Sequence, residues 1–469
     1  MLSNYIAQID KITRLISPEK AFLLLGLIFG CIFCILTPPF QVPDEPAHFY
    51  RAYQVSELKF IAEMDNGKVG GYLPASLETI VKPITAGVPF HPEKRVCIPL
   101  IFAALGWDLN PDQRSFVEFP NSAIYSAASY APQALGIGIG RLFGASALQS
   151  FYAGRFVNLL LWLVLTAFAI KIIPIGKWLL ALCALTPMSV FEAASLSVDP
   201  VLNGLAFLFI AMVLRLALSA SKRLSLGDML PIFILAALIP LVKNIYLPLI
   251  ALFLIIPTNY FGGLRKRLAL FAGISILSVS IICIWLSLIY KFTPYMTNPF
   301  SASPTDQLKF MIAHPLGFSA AVVNTLKISF VFYVRSYIGY LGWLDTALPM
   351  FLYLSQAILI AASCLVAGKS IQKFNLSSLQ RVFIAGIFIT GLVSILAIEY
   401  MCWTPVGATA ILGVQGRYLI PYVPLALLSV MPIRQAVSRH SGITGLGFLL
   451  AISYILGITC SILFQRYYS

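Results

Sequence analysis

Charge is scarce in this chain. Asp, Glu, Lys and Arg make up 11% of its 469 residues, where a soluble protein carries roughly 25%. Acidic residues are the scarcer kind, 18 against 32 basic ones, while 59% of the residues are hydrophobic. A soluble globular domain is thereby excluded. Apolar runs of about 17 to 24 residues recur along the sequence, and each is long enough to cross a bilayer. Because the runs are helix-length, the expected architecture is an α-helical bundle rather than a barrel. A disulfide framework is also missing. The eight cysteines are scattered, mostly inside apolar runs, and the Cys31-x-x-Cys34 pair sits within a spanning segment, where packing is the default role. No cytoplasmic nucleotide-binding motif is visible, and no half of the chain repeats the other.

The net charge of +14 does not point to nucleic acid. The basic residues lie in short loops between apolar runs, as orientation signals do. The first apolar run, Ala21 to Leu36, follows Lys11, Arg14 and Lys20 as in a signal peptide. "TPPFQVPDEP" comes next, without a small-residue cleavage site, so the run reads as a retained helix.

Basic clusters at the N-terminus, at Lys171 and Lys177, at Arg215, Lys222 and Arg223, at 265–267, at Lys369, Lys373 and Arg381, and at Arg434 and Arg439 must all be cytoplasmic if the positive-inside rule holds. An even number of crossings then separates each from the next. The helices expected on this basis cover about 21–37, 152–172, 177–195, 201–217, two short helices within 230–257, 268–290, 347–367, 382–398, 417–432 and 442–464. That gives an all-α polytopic protein of about eleven transmembrane helices in a single domain, 1–469, N-terminus inside. Residues 38–151 form a large first extracytoplasmic loop with interfacial helices, including "YAPQALGIGIGRLFG" (130–144). Residues 291–346 form a second long outer loop, with an amphipathic or re-entrant stretch at 316–336.

This topology collects the unusual residues on one face. The first loop opens with "PDEPAHFYRAY", carrying Asp44, Glu45, His48 and Arg51 between the stiffening prolines 43 and 46. The turn between the third and fourth helices carries Glu192 and Asp199, and the next outer turn carries Lys243. "VRSYIGYLGWLDTALP" supplies Arg335, Trp343 and Asp345. "EYMCWTPVGATAILGVQGRYLIP" supplies Glu399, Gln415, Arg417 and Tyr418. Ionisable groups at membrane depth are costly and tend to be functional. Each also has a plainer reading: Asp199 as a helix cap, Lys243 as a snorkelling side chain, Trp343 as part of the aromatic belt. As a set, carboxylates and cations on one face suit a pocket that binds an anionic lipid head group and deprotonates something beside it.

The blocks "PDEPAHFYRAYQVSE", "SYAPQALGIGIGRLFG", "GRFVNLLLWLV", "AASLSVDPVLNGLAFL", "LVKNIYLPLIALFLIIP", "GYLGWLDTALP" and "QGRYLIPYVPLALL" resemble, in that order, those of a bacterial membrane-protein family catalogued as domain of unknown function 2142. That family is similar to the GT-C superfamily of membrane glycosyltransferases. The resemblance implies a GT-C-like bundle in the bacterial inner membrane with its active face extracytoplasmic. It also implies an inverting transfer of a hexosyl or pentosyl group from a polyprenyl-phosphate donor to a cell-envelope glycan or lipid acceptor. In such enzymes an acidic residue early in the first loop is catalytic and another lies between helices 3 and 4. Those positions match Asp44 or Glu45, and Asp199. Lys243 and Arg417 would then stabilise the departing lipid phosphate. His48, Arg51 and Asp199 would contribute to substrate binding, together with Arg335, Trp343, Asp345, Gln415 and Tyr418. No cofactor is required by the sequence. A divalent metal stays open, with Asp44 and Asp199 as the residues to hold it. The alternatives are a transporter or flippase of lipid-linked intermediates, and a polysaccharide polymerase or ligase.

Overall fold

The computed structural model describes residues 17–218, 224–295, 302–367, 376–432, 436–437 and 441–469. Lys11, Arg14, Lys222, Arg223, Lys369, Lys373, Arg434 and Arg439 of the basic clusters lie outside the described residues. Among the described residues, seven helices are long and apolar enough to cross a membrane, and three shorter apolar segments accompany them.

Helix α1 (Pro18–Leu36) begins on a proline at its first turn, where the missing N–H is not needed. Its apolar side chains divide by face. Phe22, Leu25 and Phe33 are buried, while Leu24, Leu27 and Ile35 are exposed, as suits a lipid-facing stripe. Gly26 and Gly30 admit Leu163 and Leu159 of the helix Ala147–Ile172. A Cβ at either glycine would lie 2.7 Å from a leucine methyl, the small-residue contact that brings membrane helices close. Cys34 is buried in the same seam, and none of the eight cysteines is in a disulfide.

Between α1 and that helix the chain builds more than interfacial helices. After α2 (Glu45–Ser56) come three antiparallel strands, β1 (Glu63–Asp65), β2 (Lys68–Pro74) and β3 (Arg114–Glu118), in the order β1-β2-β3. Phe49, Tyr53, Leu73, Ile80, Val117 and Phe151 share a second hydrophobic core beneath them. The segment 130–144 contains α3 (Ala131–Leu142), whose 12 residues would span only about 18 Å, too short for a bilayer. It packs along α4 (Ala147–Ile172), which starts with a reciprocal Ser146–Gln149 capping box.

Prolines divide two of the expected spans. Residues 177–195 form α5 (Lys177–Ala184) and α6 (Pro187–Ala193), with Thr186 capping the second. Helix α7 (Asp199–Leu218) follows at the centre of the bundle. Residues 417–432 form a 3₁₀ turn, Gly416–Leu419, and a short helix, Val423–Val430. The two short helices expected within 230–257 are α8 (Leu226–Val242) and a 3₁₀ run, Asn244–Ile255, that meet at Lys243. A 3₁₀ run rises about 2.0 Å per residue, so its 12 residues reach about 24 Å, farther than an α-helix of equal length.

Helix α9 (Leu264–Ile289) lies on the flank, with few buried residues. Helix α10 (Pro315–Gly339) falls where a re-entrant or amphipathic stretch was expected. It is one continuous 25-residue helix that meets the spanning criteria, because no proline or glycine interrupts it after Gly317. Both of its ends rest against the same end of the bundle. Phe318 packs on Tyr400, with ring centroids 5.5 Å apart, and the Gly416 N–H donates to Ser336 Oγ at 2.8 Å. Helices α11 (Met350–Leu365), α12 (Ser378–Trp403) and α13 (Ser441–Tyr468) complete the bundle.

The contacts separate two ends. The segment between α1 and α4, the junction before α7, Lys243, the turn 340–347 and the C-terminus of α13 meet at one end, called the loop face below. At the other end lie Lys177, Arg267 and Arg381. Arg267 donates to the Leu254 and Ile256 carbonyls, both at 3.1 Å, and Arg381 to that of Ser429 at 3.3 Å.

Candidate functional site

The turn 37–44 is dense in prolines, and two of its non-glycine residues, Phe40 (φ 67°) and Asp44 (φ 62°), are left-handed. Such conformations are strained and persist only when the surroundings hold them. Here the clamp is Glu45. Its carboxylate accepts from Arg155 Nε at 2.8 Å and Nη2 at 2.6 Å, from the Phe40 N–H at 3.0 Å and from the Leu196 N–H at 3.1 Å. Arg155 also donates to the carbonyls of Cys34 and Thr37, both at 2.8 Å, and of Pro38 at 3.2 Å. Both side chains are 0% exposed. Glu45 is therefore fully engaged in fixing the end of α1 to α4 and to the junction before α7.

The left-handed turn at Asp44 sends its carboxylate the other way, into the open. It is exposed and lines a cavity of about 550 Å³ together with His48, Tyr125, Lys243, Glu399, Gln415 and Tyr418. His48 follows one turn later on α2. Its Nδ1 lies 2.7 Å from Tyr130 Oη, and burial pushes the imidazole down to about 4, helped by Lys243 and Arg417 and opposed by Asp44 and Asp199. At neutral pH it is uncharged.

Lys243 stands where α8 gives way to the 3₁₀ run. It pairs with Asp199 at the head of α7, and its ammonium lies 5.6 Å from the Tyr125 ring and 5.5 Å from the Tyr418 ring. Arg417 sits behind Tyr418, 5.5 Å from the ring, and its Nη1 donates to Glu192 Oε1 at 2.7 Å. The two cations are thus each matched by a carboxylate, and each keeps N–H groups in hand: an ammonium has three, and Arg417 Nε has no hydrogen-bond partner. Glu399, in the last turn of α12, is 9% exposed, and its carboxylate forms no ion pair among the described residues.

Apolar side chains make up much of the rest of the lining. Leu241, Val242, Ile282, Leu286, Ile289 and Ile398 belong to it, and Leu286 is also 42% exposed on the flank of α9. The cavity therefore joins a charged interior to the side of the bundle. Trp285 fixes this part of the lining to the loop segment by donating to the Ile124 carbonyl at 2.7 Å.

Six of the residues singled out in the sequence share this cavity: Asp44, His48, Lys243, Glu399, Gln415 and Tyr418. Asp199 and Arg417 stand directly behind it. Glu45, Arg51, Arg335, Trp343 and Asp345 do not line it. Arg51 is buried and donates to Gln54 and to the Phe60 carbonyl at 2.6 Å, bracing the chain after α2. Arg335 lies over the Tyr353 ring at 5.7 Å. Trp343 Nε1 donates to the Phe40 carbonyl at 3.2 Å, and Asp345 pairs with Arg466 at 2.7 Å. The structure adds Arg155, Tyr125, Tyr130 and Phe90 to the set. Arg155 had a sequence signal, a lone guanidinium ahead of "FVNLLLWLV"; the others had none beyond being aromatic.

For a divalent metal the named pair does not fit. The Asp199 carboxylate already faces the Lys243 ammonium, which leaves Asp44 alone, and among the described residues no group of three or more His, Cys, Asp or Glu side chains gathers to hold an ion.

Comparison with known proteins adds a family. The family model described as "Predicted membrane protein (DUF2142)" matches residues 27–426. No functionally curated protein matches the sequence. Among solved structures, ArnT from Cupriavidus metallidurans in the apo state aligns over 95% of this chain and 78% of its own, at 14% identity and a TM-score of 0.34. That likeness is too distant to carry an argument about chemistry.

Proposed function

The chain belongs to the DUF2142 family of predicted membrane proteins, and we propose that it is a membrane glycosyltransferase that moves a sugar from a polyprenyl-phosphate donor to a cell-envelope glycan or lipid acceptor. The observation that carries this reading is the mixed character of the cavity. Its lining holds the exposed Asp44 carboxylate and the Lys243 ammonium, together with apolar side chains that include Leu286 on the bundle's flank. A phosphate bearing a sugar at one end and a polyprenyl chain at the other has this same division. A soluble nucleotide donor would have no use for the apolar exit.

In the proposed reaction Asp44 removes the proton from an acceptor hydroxyl. The acceptor oxygen forms its bond to the anomeric carbon from the side opposite the leaving group. The bond from that carbon to the phosphate oxygen breaks, and the lipid phosphate departs with the electron pair. Inversion follows from the in-line geometry. Lys243 and Arg417 meet the charge developing on the phosphate, and because their carboxylate partners hold them in place no reorganisation is needed at that moment. Glu45 has no free lone pair to serve as the base, so the role goes to Asp44. Neutral His48, bonded to Tyr130, shapes the floor beside it.

The loop face would lie outside the inner membrane and the N-terminus inside, since Lys171, Lys177, Arg265, Lys266, Arg267 and Arg381 gather at the other end. The test is release of undecaprenyl phosphate from undecaprenyl-phosphoryl sugars by the purified protein in nanodiscs, with membrane extract as acceptor source. Asp44→Asn should lower the rate by about 10²–10⁴-fold, the usual contribution of a positioned base. An unchanged rate would remove Asp44 from the mechanism, and flipping of the donor without any cleavage would favour transport instead.

A further inference from the structure

The motif "GYLGWLDTALP" is not absorbed by the cavity, yet its residues are heavily committed. Gly342 (φ 61°) and Leu344 (φ 59°) make a tight turn that sets Trp343 against Phe90 and Asp345 against Arg466, which holds the segment 88–96. Arg466, near the end of α13, bonds Asp345 and the carbonyls of Lys94 (2.7 Å), Val88 (3.1 Å) and His91 (3.2 Å). The Val96 N–H donates to the Tyr467 carbonyl at 3.0 Å. Phe90 lies within this clamped segment, between the bonded carbonyls of Val88 and His91. The phenylalanine is 67% exposed, left-handed at φ 63°, and lies at the rim of the cavity that Asp44 lines. Its ring meets the edge of Trp343 at 5.2 Å and 60°, and Trp343 in turn is bonded to Phe40 in the Asp44 turn.

Beyond its one contact with Trp343, a phenyl ring this exposed gains little from packing, and a left-handed conformation at a residue other than glycine works against it. A ring that only touched lipid would need no buried arginine to fix its backbone. We propose that Phe90 is a stacking platform for the sugar ring of the cavity's ligand, and that Trp343, Asp345 and Arg466 are its positioning residues. The electron-rich face of an aromatic ring attracts the slightly positive C–H face of a pyranose, a contact that tolerates many sugars. This inference rests on the glycosyltransferase reading and adds to it the surface that feels the sugar rather than the phosphate.

The experiment compares binding of bare undecaprenyl phosphate with that of undecaprenyl phosphate carrying glucose, mannose or galactose, by native mass spectrometry of the full chain in nanodiscs. In the unaltered protein at least one sugar should tighten binding by about tenfold, or about 1.4 kcal/mol. Phe90→Ala should collapse that gap to within about twofold while bare undecaprenyl phosphate binds as before, and Phe90→Trp should keep the gap. Trp343→Ala should narrow the gap alone but add nothing to Phe90→Ala, the non-additivity of a residue acting through another. The inference is overturned if the gap survives Phe90→Ala, if no sugar tightens binding, or if Phe90→Ala weakens the bare lipid equally. If bare undecaprenyl phosphate fails to bind at all, the glycosyltransferase reading falls first.

Discussion

Removing the carboxylate of Glu45 should damage the fold more than any change at its neighbour Asp44. With Glu45→Ala, Arg155 stays 0% exposed without its counter-charge, and the N–H groups of Phe40 and Leu196 lose their acceptor. Breaking a buried pair in this way costs about 3–5 kcal/mol, because the surviving charge is stranded away from water. Glu45→Gln should cost nearly as much. An amide presents one acceptor oxygen where four donors converge, and its NH₂ points at one of them. The double change Glu45→Gln with Arg155→Met should be milder than either single change, since it leaves no stranded charge, although the carbonyls of Cys34, Thr37 and Pro38 lose a donor. The assay is the fraction of detergent-solubilised protein remaining monodisperse after a temperature series. The reasoning fails if either single variant matches the unaltered protein, or if the double variant loses as much as the two singles combined.

Two further outcomes follow from the same geometry. Lys243→Met removes N–H donors that face the cavity and leaves Asp199 unmatched, so affinity for undecaprenyl phosphate should fall about 10- to 100-fold, the worth of a charged hydrogen bond; Lys243→Arg should recover most of it. His48, held neutral with its pKa lowered from 6.5 to about 4, makes folding sensitive to acid. The unfolded chain takes up a proton as pH falls through 6.5 and the folded chain does not until about 4. Stability is thus full above the upper value and declines by about 3 kcal/mol toward the lower one. His48→Gln should flatten the decline in thermal stability between pH 7 and pH 4.5; an unchanged slope would assign the acid sensitivity to other groups.

Much of the fold was legible because lipid and water impose opposite compositions: the apolar runs and basic loops of this sequence sort into spans and turns with little ambiguity. Proline was legible as a residue but not in its effect. Pro187 and Pro424 each shorten a run that hydropathy alone reads as one helix, because hydropathy does not register a missing N–H. The sheet between α1 and α4 was missed for another reason. Its strands are short, the central one carries the pair Gly70–Gly71 in its interior, and their apolar residues pack into a local core that no membrane rule anticipates. "GWLD" stood out as unusual in sequence and is unusual in structure, but it braces Phe90 instead of lining the cavity.

The division of labour between Asp44 and Glu45 shows where sequence reasoning must stop. The two carboxylates are adjacent and chemically alike, and nothing local distinguishes them. What separates them is Arg155, 110 residues along the chain, which fits only one. Once Glu45 is drawn under α1, the left-handed turn at Asp44 leaves its neighbour a single direction, toward the cavity. A buried ion pair of this kind contributes little net stability over a well-packed apolar pair, so its retention is better explained by orientation. The Arg155–Glu45 pair fixes which of two adjacent acids lines the cavity, and an apolar pair at the same positions would leave that choice open.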